Sequence, residues 1–143
     1  VEIDPETGQV QIINYVAVHD SGRLINPMIV NGQVLGGAVH GVGNALYEHM
    51  HFDDGGQPQT VTLAEYLLPG APEAPSIDVF HMESPTPLNP LGVKGAGEGG
   101  TIPATAAIAS AVDDALREFN IRITDLPIVP SYIVEQIANS GRG

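Results

Sequence analysis

The sequence of 143 residues predicts an α+β protein with mixed sheet strands and two main helices. Short runs rich in Val, Ile and Tyr, separated by turns that contain Gly and Pro, are typical of strands. Apolar residues recur every four positions from Val30 to Leu46, and a second amphipathic pattern covers residues 102–119. Each of these two patterns predicts a helix. A chain of this length can bury about two-thirds of its unfolded surface, which suffices for one domain or for part of a larger one.

The N-terminal residues predict a hairpin followed by the first helix. Residues 1–4 form the first strand, residues 5–8 the turn, and residues 9–19 a longer strand. Asn26 and Pro27 then mark a helix start. An Asn side chain can cap the first turn, and Pro lacks only an N–H that would have no partner at that position.

The first helix, expected to end near His49, contains five glycines, at positions 32, 36, 37, 41 and 43. Relative to Ala they cost on the order of 5 kcal/mol of helix propensity. Because glycine permits close approach, we expect either tight packing against a sheet or second helix, or contact with a bound cofactor. A membrane span is rejected, since the uncharged stretch from Leu24 to Tyr47 holds five polar Asn, Gln and His side chains and lacks a basic flank.

Shorter elements are predicted for the rest of the chain. Residues 60–68 predict a strand that can end in a short helical turn. The six prolines within residues 69–90 predict an extended segment laid across a surface, with one strand at residues 77–82. Thr101 is a plausible cap for the second helix. Residues 121–137 predict a strand, a turn containing Pro and a short final helix.

The composition restricts the classes of partner and cofactor site. With 17 acidic against 5 basic residues, the net charge of -12 would repel phosphate backbones and anionic lipid, which argues against nucleic acid and membrane surfaces. The sequence has no cysteine, so a disulfide, a Cys-ligated zinc site or an iron–sulfur cluster cannot lie within it. It begins at Val1 without an initiator Met or a leader, and we therefore expect a fragment or a split subunit.

A glycine-rich segment, GVKGAGEGG at residues 92–100, precedes the second helix. Residues 95–100 match the dinucleotide-binding pattern G-x-G-x-x-G, but the proline-broken residues 85–91 replace the apolar strand that such a fold needs. Glu98 would also place a negative charge where a pyrophosphate needs N–H donors. Nucleotide binding is therefore disfavoured.

Glu98 is the single acid in this segment, and its presence there has two alternative explanations. Compensation of the helix dipole, worth about 0.3–1 kcal/mol, would explain the acid but not the glycines around it. Glycines on both sides let backbone pack against a ligand while one carboxylate points at it. That arrangement suits a general base in a crowded cavity.

Several segments resemble a known family. The string GVKGAGEGGTIPATAAIASAVDDAL resembles the Gly-(Ala/Val)-Lys-Gly-Val-Gly-Glu-Ser segment, and its following helix, in large subunits of carbon monoxide dehydrogenase and related molybdenum hydroxylases of the xanthine dehydrogenase and aldehyde oxidase type. VEIDPETGQVQIINYVAVHDSGRLINP, GQVLGGAVHGVGNALYE and TLAEYLLP resemble other family segments in the same order. The resemblance implies that residues 1–143 are the C-terminal portion of a molybdopterin-binding domain.

The resemblance also implies an activity and partners. Glu98 would be the catalytic base of a hydroxylase that oxidises an aldehyde, an N-heterocycle or carbon monoxide with water-derived oxygen. The remainder of the large subunit would complete the pocket, while 2Fe–2S clusters and FAD would lie on other segments or subunits. The expected location is the cytoplasm, or the periplasm if a partner subunit carries an export signal. A non-catalytic interaction module that retains the fold without cofactor is the alternative.

Cofactor contacts are implied residue by residue, with no direct metal ligand in this chain. The backbone of the glycine-rich segment would lie along the molybdopterin at Lys94, Gly95, Ala96 and Gly97. His40, which precedes Gly41 in the first helix, matches a position where many relatives have Gln near the cofactor. A His there departs from the pattern and can titrate. Elsewhere, we expect Asp20 and Arg23 to pair locally, and the His-x-His pair at residues 49–51 to be a solvated turn rather than a metal site.

Overall fold

The computed structural model describes residues 1–141, which form strands, helices and a long irregular segment. The elements are β1 (Glu2–Ile3), β2 (Val10–Gln11), β3 (Tyr15–Asp20), α1 (Pro27–Leu46), β4 (Ile77–Met82), α2 (Thr101–Ala115), a 3-10 turn (Arg117–Phe119) and α3 (Pro130–Asn139). β1 pairs antiparallel with β2, and β3 pairs parallel with β4. The α+β class is confirmed, with the two kinds of pairing in separate two-stranded ribbons.

The single long strand predicted for residues 9–19 is wrong, because the chain changes partner within it. Residues 10–11 turn back onto β1, whereas residues 15–20 lie beside β4, and the residues between them are not in a strand. The strand predicted at residues 77–82 is confirmed, with Tyr15 opposite Ile77 and Asp20 opposite Met82. One face of this parallel pair is more buried, and the other is exposed along its length.

Helices α1 and α2 pack against each other through glycine. A Cβ built on Gly41 would lie 2.2 Å from the Cβ of Ala104, and one built on Gly37 would lie 2.9 Å from the Thr101 hydroxyl oxygen. These contacts leave no room for a side chain, so tight packing against a second helix explains Gly37 and Gly41.

The core lies where α3 and the segment before it cover the C-terminal halves of α1 and α2. Ile128 donates its backbone N–H to the Ala45 carbonyl at 2.7 Å, which attaches the tail to the end of α1. The buried side chains of this core are Val42, Ala45, Leu46, Ile108, Val112, Leu116, Ile121, Ile128, Ile133 and Ile137.

The strand predicted for residues 60–68 is absent, and only a helical turn is present. The Glu65 carboxylate accepts the N–H groups of Val61 and Thr62 at 3.2 and 3.1 Å, and the Tyr66 N–H reaches the Thr62 carbonyl at 2.8 Å. The Glu65 carboxylate thus caps the start of this turn, as the acid of a capping box does, while the Thr62 hydroxyl accepts the Ala64 N–H at 3.3 Å. The Tyr66 hydroxyl then donates to Glu48 at 2.6 Å, tying the turn to the end of α1.

Helix ends differ modestly from expectation. The Asn26 side chain accepts from the Ile29 N–H at 3.2 Å, as its sequence position predicts, and α1 ends at Leu46 rather than near His49. Thr101 is the first residue of α2 rather than its cap, which is Gly100.

The strand predicted after residue 121 is also wrong. Residues 121–124 are unpaired with any strand, and the Ile123 N–H donates instead to the Asp113 carboxylate at 2.6 Å. The short final helix predicted at the end of the chain is confirmed as α3.

Asp20 joins three separate parts of the chain. Its Oδ1 accepts the N–H groups of Gly22 at 2.8 Å and Ser84 at 3.1 Å, and its Oδ2 accepts from Lys94 Nζ at 2.9 Å. Hydrogen bonds from Ser84, then from Lys94 and Gly22, hold the pKa of the Asp20 carboxyl well below its ordinary value of 3.8. The predicted pairing of Asp20 with Arg23 is wrong, because the nearer cation in sequence is not the nearer one in space.

We expect Gly41→Ala to lower the free energy of unfolding by about 1–3 kcal/mol, because the new methyl group overlaps Ala104. Chemical denaturation of the purified protein measures it. The matched control is Gly32→Ala, where no atom lies within 4 Å of the added Cβ. That change should raise the stability by up to about 1 kcal/mol through helix propensity. Equal effects of the two substitutions would contradict the packing argument.

Asp20→Asn should remove a pH-dependent part of the stability. Because the folded-state pKa of Asp20 is depressed, its contribution is complete at neutral pH and is lost as the pH falls below 3.8 towards the folded value. The difference in unfolding free energy between the native protein and Asp20→Asn should therefore be largest at neutral pH and shrink on acidification. Denaturation series at successive pH values test this. Lys94→Met should reproduce the trend, and a difference that grows in acid would refute it.

Candidate functional site

The glycine-rich loop, residues 93–100, is attached to the end of β3 by backbone contacts. Gly22 and Val93 form an isolated antiparallel bridge, and the Lys94 N–H donates to the Ser21 carbonyl at 2.8 Å. The loop therefore starts from a fixed base at the carboxyl edge of the β3–β4 pair.

Lys94 is fixed at both ends by this attachment. Its ammonium group pairs with Asp20 at 2.9 Å, and its backbone N–H is already used by Ser21. Of the backbone groups predicted to face the cofactor, the N–H of Lys94 is thus not available. The charge of Lys94 is likewise compensated by Asp20 and is not directed at a ligand.

The next three residues, Gly95, Ala96 and Gly97, present open backbone. Within residues 1–141 none of their N–H groups donates to a protein acceptor. A Cβ added at Gly95 or Gly97 would meet nothing within 4 Å. Packing inside the chain therefore does not explain Gly95 and Gly97. The unbonded N–H groups of residues 95–97 are available to a ligand.

Glu98 is exposed and stands at the entrance to α2. Its carbonyl accepts the N–H groups of Thr101 and Ile102 at 3.0 and 3.1 Å, which fixes its backbone. Its carboxylate, by contrast, forms no hydrogen bond or ion pair with any other described residue. The side chain does not cap the helix, so compensation of the helix dipole receives no support from hydrogen bonding.

Gly99 and Gly100 are required by packing. A Cβ on Gly99 would lie 2.0 Å from His19 Nε2, and one on Gly100 would lie 2.2 Å from the Val34 carbonyl oxygen. The chain just after Glu98 thus passes between β3 and α1. The four glycines of the loop thus serve different purposes, and only the structure separates them.

His40 and Gly41 have different surroundings on α1. Gly41 is buried against α2, and its carbonyl accepts from the Thr105 hydroxyl at 3.4 Å. His40 is exposed, and Gly36, one turn earlier, has no atom within 4 Å of an added Cβ. Only His40 therefore offers a side chain to a ligand, while Gly41 allows the close approach of the two helices.

His49 and His51 lie in an exposed turn, with ring centroids 5.5 Å apart and planes at 78°. Among the described residues, no group of three or more His, Cys, Asp or Glu side chains is arranged to hold a metal ion. No helix in the same part of the chain is both long and apolar enough to cross a membrane.

Three polar residues that the sequence analysis did not single out lie behind the loop. His19 and His81 are opposite each other in β3 and β4, and the Nδ1 atom of each is buried without a hydrogen-bond partner in the described chain. The Ser21 hydroxyl is buried and unpartnered as well. The sequence could not reveal this group, because β3 and β4 are distant in sequence and their pairing brings the two histidines together.

A pocket of 360 Å³ lies between β3 and the first turns of α2. Its lining is mainly apolar and includes His19, Gly99 and Gly100, but not Glu98. The pocket therefore lies behind residues 99–100 of the loop, and Glu98 is not part of its lining.

Comparison with known proteins identifies the family. Residues 1–75, more than half of the chain, match the model of the molybdopterin cofactor-binding domain. The gamma subunit of the 6-hydroxypseudooxynicotine dehydrogenase complex of Paenarthrobacter nicotinovorans is 45% identical over 134 residues, covering 93% of this chain and 17% of that protein. The carbon monoxide dehydrogenase large chain of Hydrogenophaga pseudoflava is 35% identical over 127 residues, covering 89% and 16%.

A solved structure agrees with these relatives. Quinoline 2-oxidoreductase from Pseudomonas putida 86 superposes with a TM-score of 0.93 at 43% identity, over 95% of this chain and 17% of that one. The chain thus spans about a sixth of the proteins it matches. By its sequence match and its fold, the chain belongs to the molybdopterin cofactor-binding domain family.

Proposed function

We propose that this chain is the C-terminal portion of the molybdopterin-binding domain of a molybdenum hydroxylase, in which Glu98 is the catalytic base. The state of Glu98 carries the proposal: its backbone is fixed by α2, and its exposed carboxylate has no partner among residues 1–141. An unpaired carboxylate on a fixed backbone is available to take a proton from a bound reactant.

The residues before Glu98 fit the cofactor. The free N–H groups of Gly95, Ala96 and Gly97 can donate to the polar edge or phosphate of a pterin, as oriented backbone amides do in other anion sites. The lack of side chains at Gly95 and Gly97 lets a flat ligand approach the backbone closely. His40 can donate one further hydrogen bond from α1. Molybdenum carried by the pterin supplies the two-electron redox chemistry when bound.

Glu98 acts in its ionised form in this mechanism. It takes a proton from the water-derived oxygen nucleophile as that oxygen attacks the substrate carbon, and it holds the proton on a carboxylate oxygen. The bond between Lys94 and Asp20 keeps the loop in place, while it prevents the ammonium group from pairing with Glu98. Glu98 thereby remains free to accept the proton.

The complete enzyme requires parts outside this chain. Since the chain covers 17% of the relative named as a complex subunit, we propose the remainder of a large subunit as its first partner. The sequence has no cysteine, so the ligands of 2Fe–2S clusters must lie on other segments or subunits, together with FAD.

Glu98→Gln tests the proposed base in the assembled enzyme. The amide keeps the size and the backbone contacts of Glu98 but cannot accept the proton, so turnover should fall by several orders of magnitude while molybdenum and pterin contents stay unchanged. Metal analysis and steady-state kinetics measure the two quantities. Glu135→Gln on the exposed face of α3 is the matched control and should leave both unchanged.

Near-normal turnover of Glu98→Gln would remove Glu98 from the role of base. A native complex without molybdenum and pterin would instead favour the alternative of a non-catalytic interaction module. The two failures are therefore distinguishable.

For the substrate we favour an aromatic N-heterocycle over carbon monoxide. The proteins named for 6-hydroxypseudooxynicotine and quinoline, which both contain an aromatic ring with nitrogen, are 45% and 43% identical to this chain, against 35% for the carbon monoxide dehydrogenase. A panel of pyridines, quinolines, aldehydes and carbon monoxide, assayed with a dye as electron acceptor, should give the highest kcat/KM for a pyridine or quinoline. A higher value for carbon monoxide or an aldehyde would overturn this assignment.

A further inference from the structure

We infer that His19 is a positioning residue that holds Gly99, and through it the backbone of Glu98, against the end of β3. The inference rests on the proposed function in one respect only, namely that Glu98 is the catalytic base. The contact between His19 and Gly99 is independent of that function.

The His19 ring occupies the space where any residue other than glycine would place a side chain at position 99. A Cβ there would lie 2.0 Å from Nε2, 2.3 Å from Cδ2 and 3.2 Å from Cε1 of the imidazole. The ring is therefore in direct contact with the backbone of the residue that follows Glu98. A shift of this backbone moves the base.

The backbone that carries the His19 ring is itself restrained. The ring projects from the carboxyl end of β3, where His19 pairs with His81 of β4, and its Nδ1 atom is buried. The next residue, Asp20, is fixed by three hydrogen bonds to three parts of the chain. The imidazole is therefore attached to a fixed strand end on this side of Gly99.

The opposite side of the loop is closed by the helices. A Cβ on Gly100 would lie 2.2 Å from the Val34 carbonyl oxygen, and the Glu98 carbonyl is bonded to the first turn of α2. Residues 99–100 are thus clamped between His19 on one side and α1 on the other. The clamp fixes Glu98 without using its carboxylate.

This geometry matters for proton transfer, since a base must lie within hydrogen-bond reach of the proton it takes. A displacement of about 1 Å can lower a rate on the order of 100-fold. Glycine at position 99 and histidine at position 19 are complementary in volume, and each should therefore tolerate a change only when the other changes as well.

Paired substitutions in the holoenzyme test the inference. Gly99→Ala should lower kcat by roughly 10- to 100-fold with little change in KM, because the methyl group meets His19 and shifts Glu98. His19→Ala alone should lower kcat to a smaller extent, because the loop loses its support. The double variant His19→Ala/Gly99→Ala should have a higher kcat than Gly99→Ala, since the methyl group then fills the vacated space.

A second measurement does not depend on turnover. Hydrogen exchange in peptides covering residues 95–102 should be faster in each single variant and slower again in the double variant, because the N–H groups of Thr101 and Ile102 bond to the Glu98 carbonyl. His51→Ala/Gly99→Ala is the matched control, in which an exposed histidine is removed instead, and it should not recover. Should Gly99→Ala fail to fold, His19→Phe, which keeps a flat ring, should retain native exchange where His19→Ala does not.

Equal exchange and turnover in Gly99→Ala and the native enzyme would overturn the inference, as would recovery by His51→Ala. Absence of recovery by His19→Ala would overturn it too. Failure of the proposed base gives a different pattern: Glu98→Gln would stay active while the exchange data still showed the paired recovery.

Discussion

The hydrogen bonds to the Asp20 carboxylate are the interaction on which the placement of the glycine-rich loop depends. They bring together the ends of β3 and β4, which are separated by 64 residues from Asp20 to Ser84, and they anchor Lys94 a further ten residues along the chain. Parallel strands place their carboxyl ends at the same edge, so β3 and β4 both deliver chain to this point. The segment between β4 and the loop is rich in proline and has little regular structure of its own. A single carboxylate therefore fixes both ends of this irregular connection, at Ser84 and at Lys94, ahead of Glu98.

Glycines then allow the end of the loop to pack closely against α1 and α2. Gly37 and Gly41 allow α1 to approach Thr101 and Ala104 at the start of α2, and Gly100 lies against the Val34 carbonyl. Glu98 immediately precedes this junction. Its backbone is therefore held between the β3–β4 pair on one side and the two helices on the other. The helix propensity that these glycines cost, about 1 kcal/mol each relative to Ala, is offset by a contact that larger residues would prevent. Stability and the position of the Glu98 backbone are therefore set by the same close packing.

The sequence predicted the features that local chemistry determines, namely both main helices, the Asn26 cap and the strand at Ile77–Met82. The role of Glu98 in its glycine-rich loop stays a prediction. It did not predict pairings between distant residues. Asp20 was expected to pair with Arg23, three positions away, whereas its partner is Lys94, 74 residues away. The β-rich run at residues 60–68 indicated a strand, but strands need a neighbour, and this segment instead closes a turn on Glu65. Periodicity reports which face of an element is buried, and it carries no information about what covers that face.

One face of the β3–β4 pair exposes large apolar side chains to the surroundings of this chain. Val16, Val18, Phe80 and Met82 each expose more than half of their surface there. Parallel sheets are normally covered on both faces, and the matched relatives are about six times longer than this chain. The proposed remainder of a large subunit would then lie against this face and enclose the loop. If Glu98 is the proposed base, burial of that kind would exclude water around it, while the position of its backbone is already set by contacts within the chain. The position of the Glu98 backbone and the enclosure of its side chain would then be encoded in different segments.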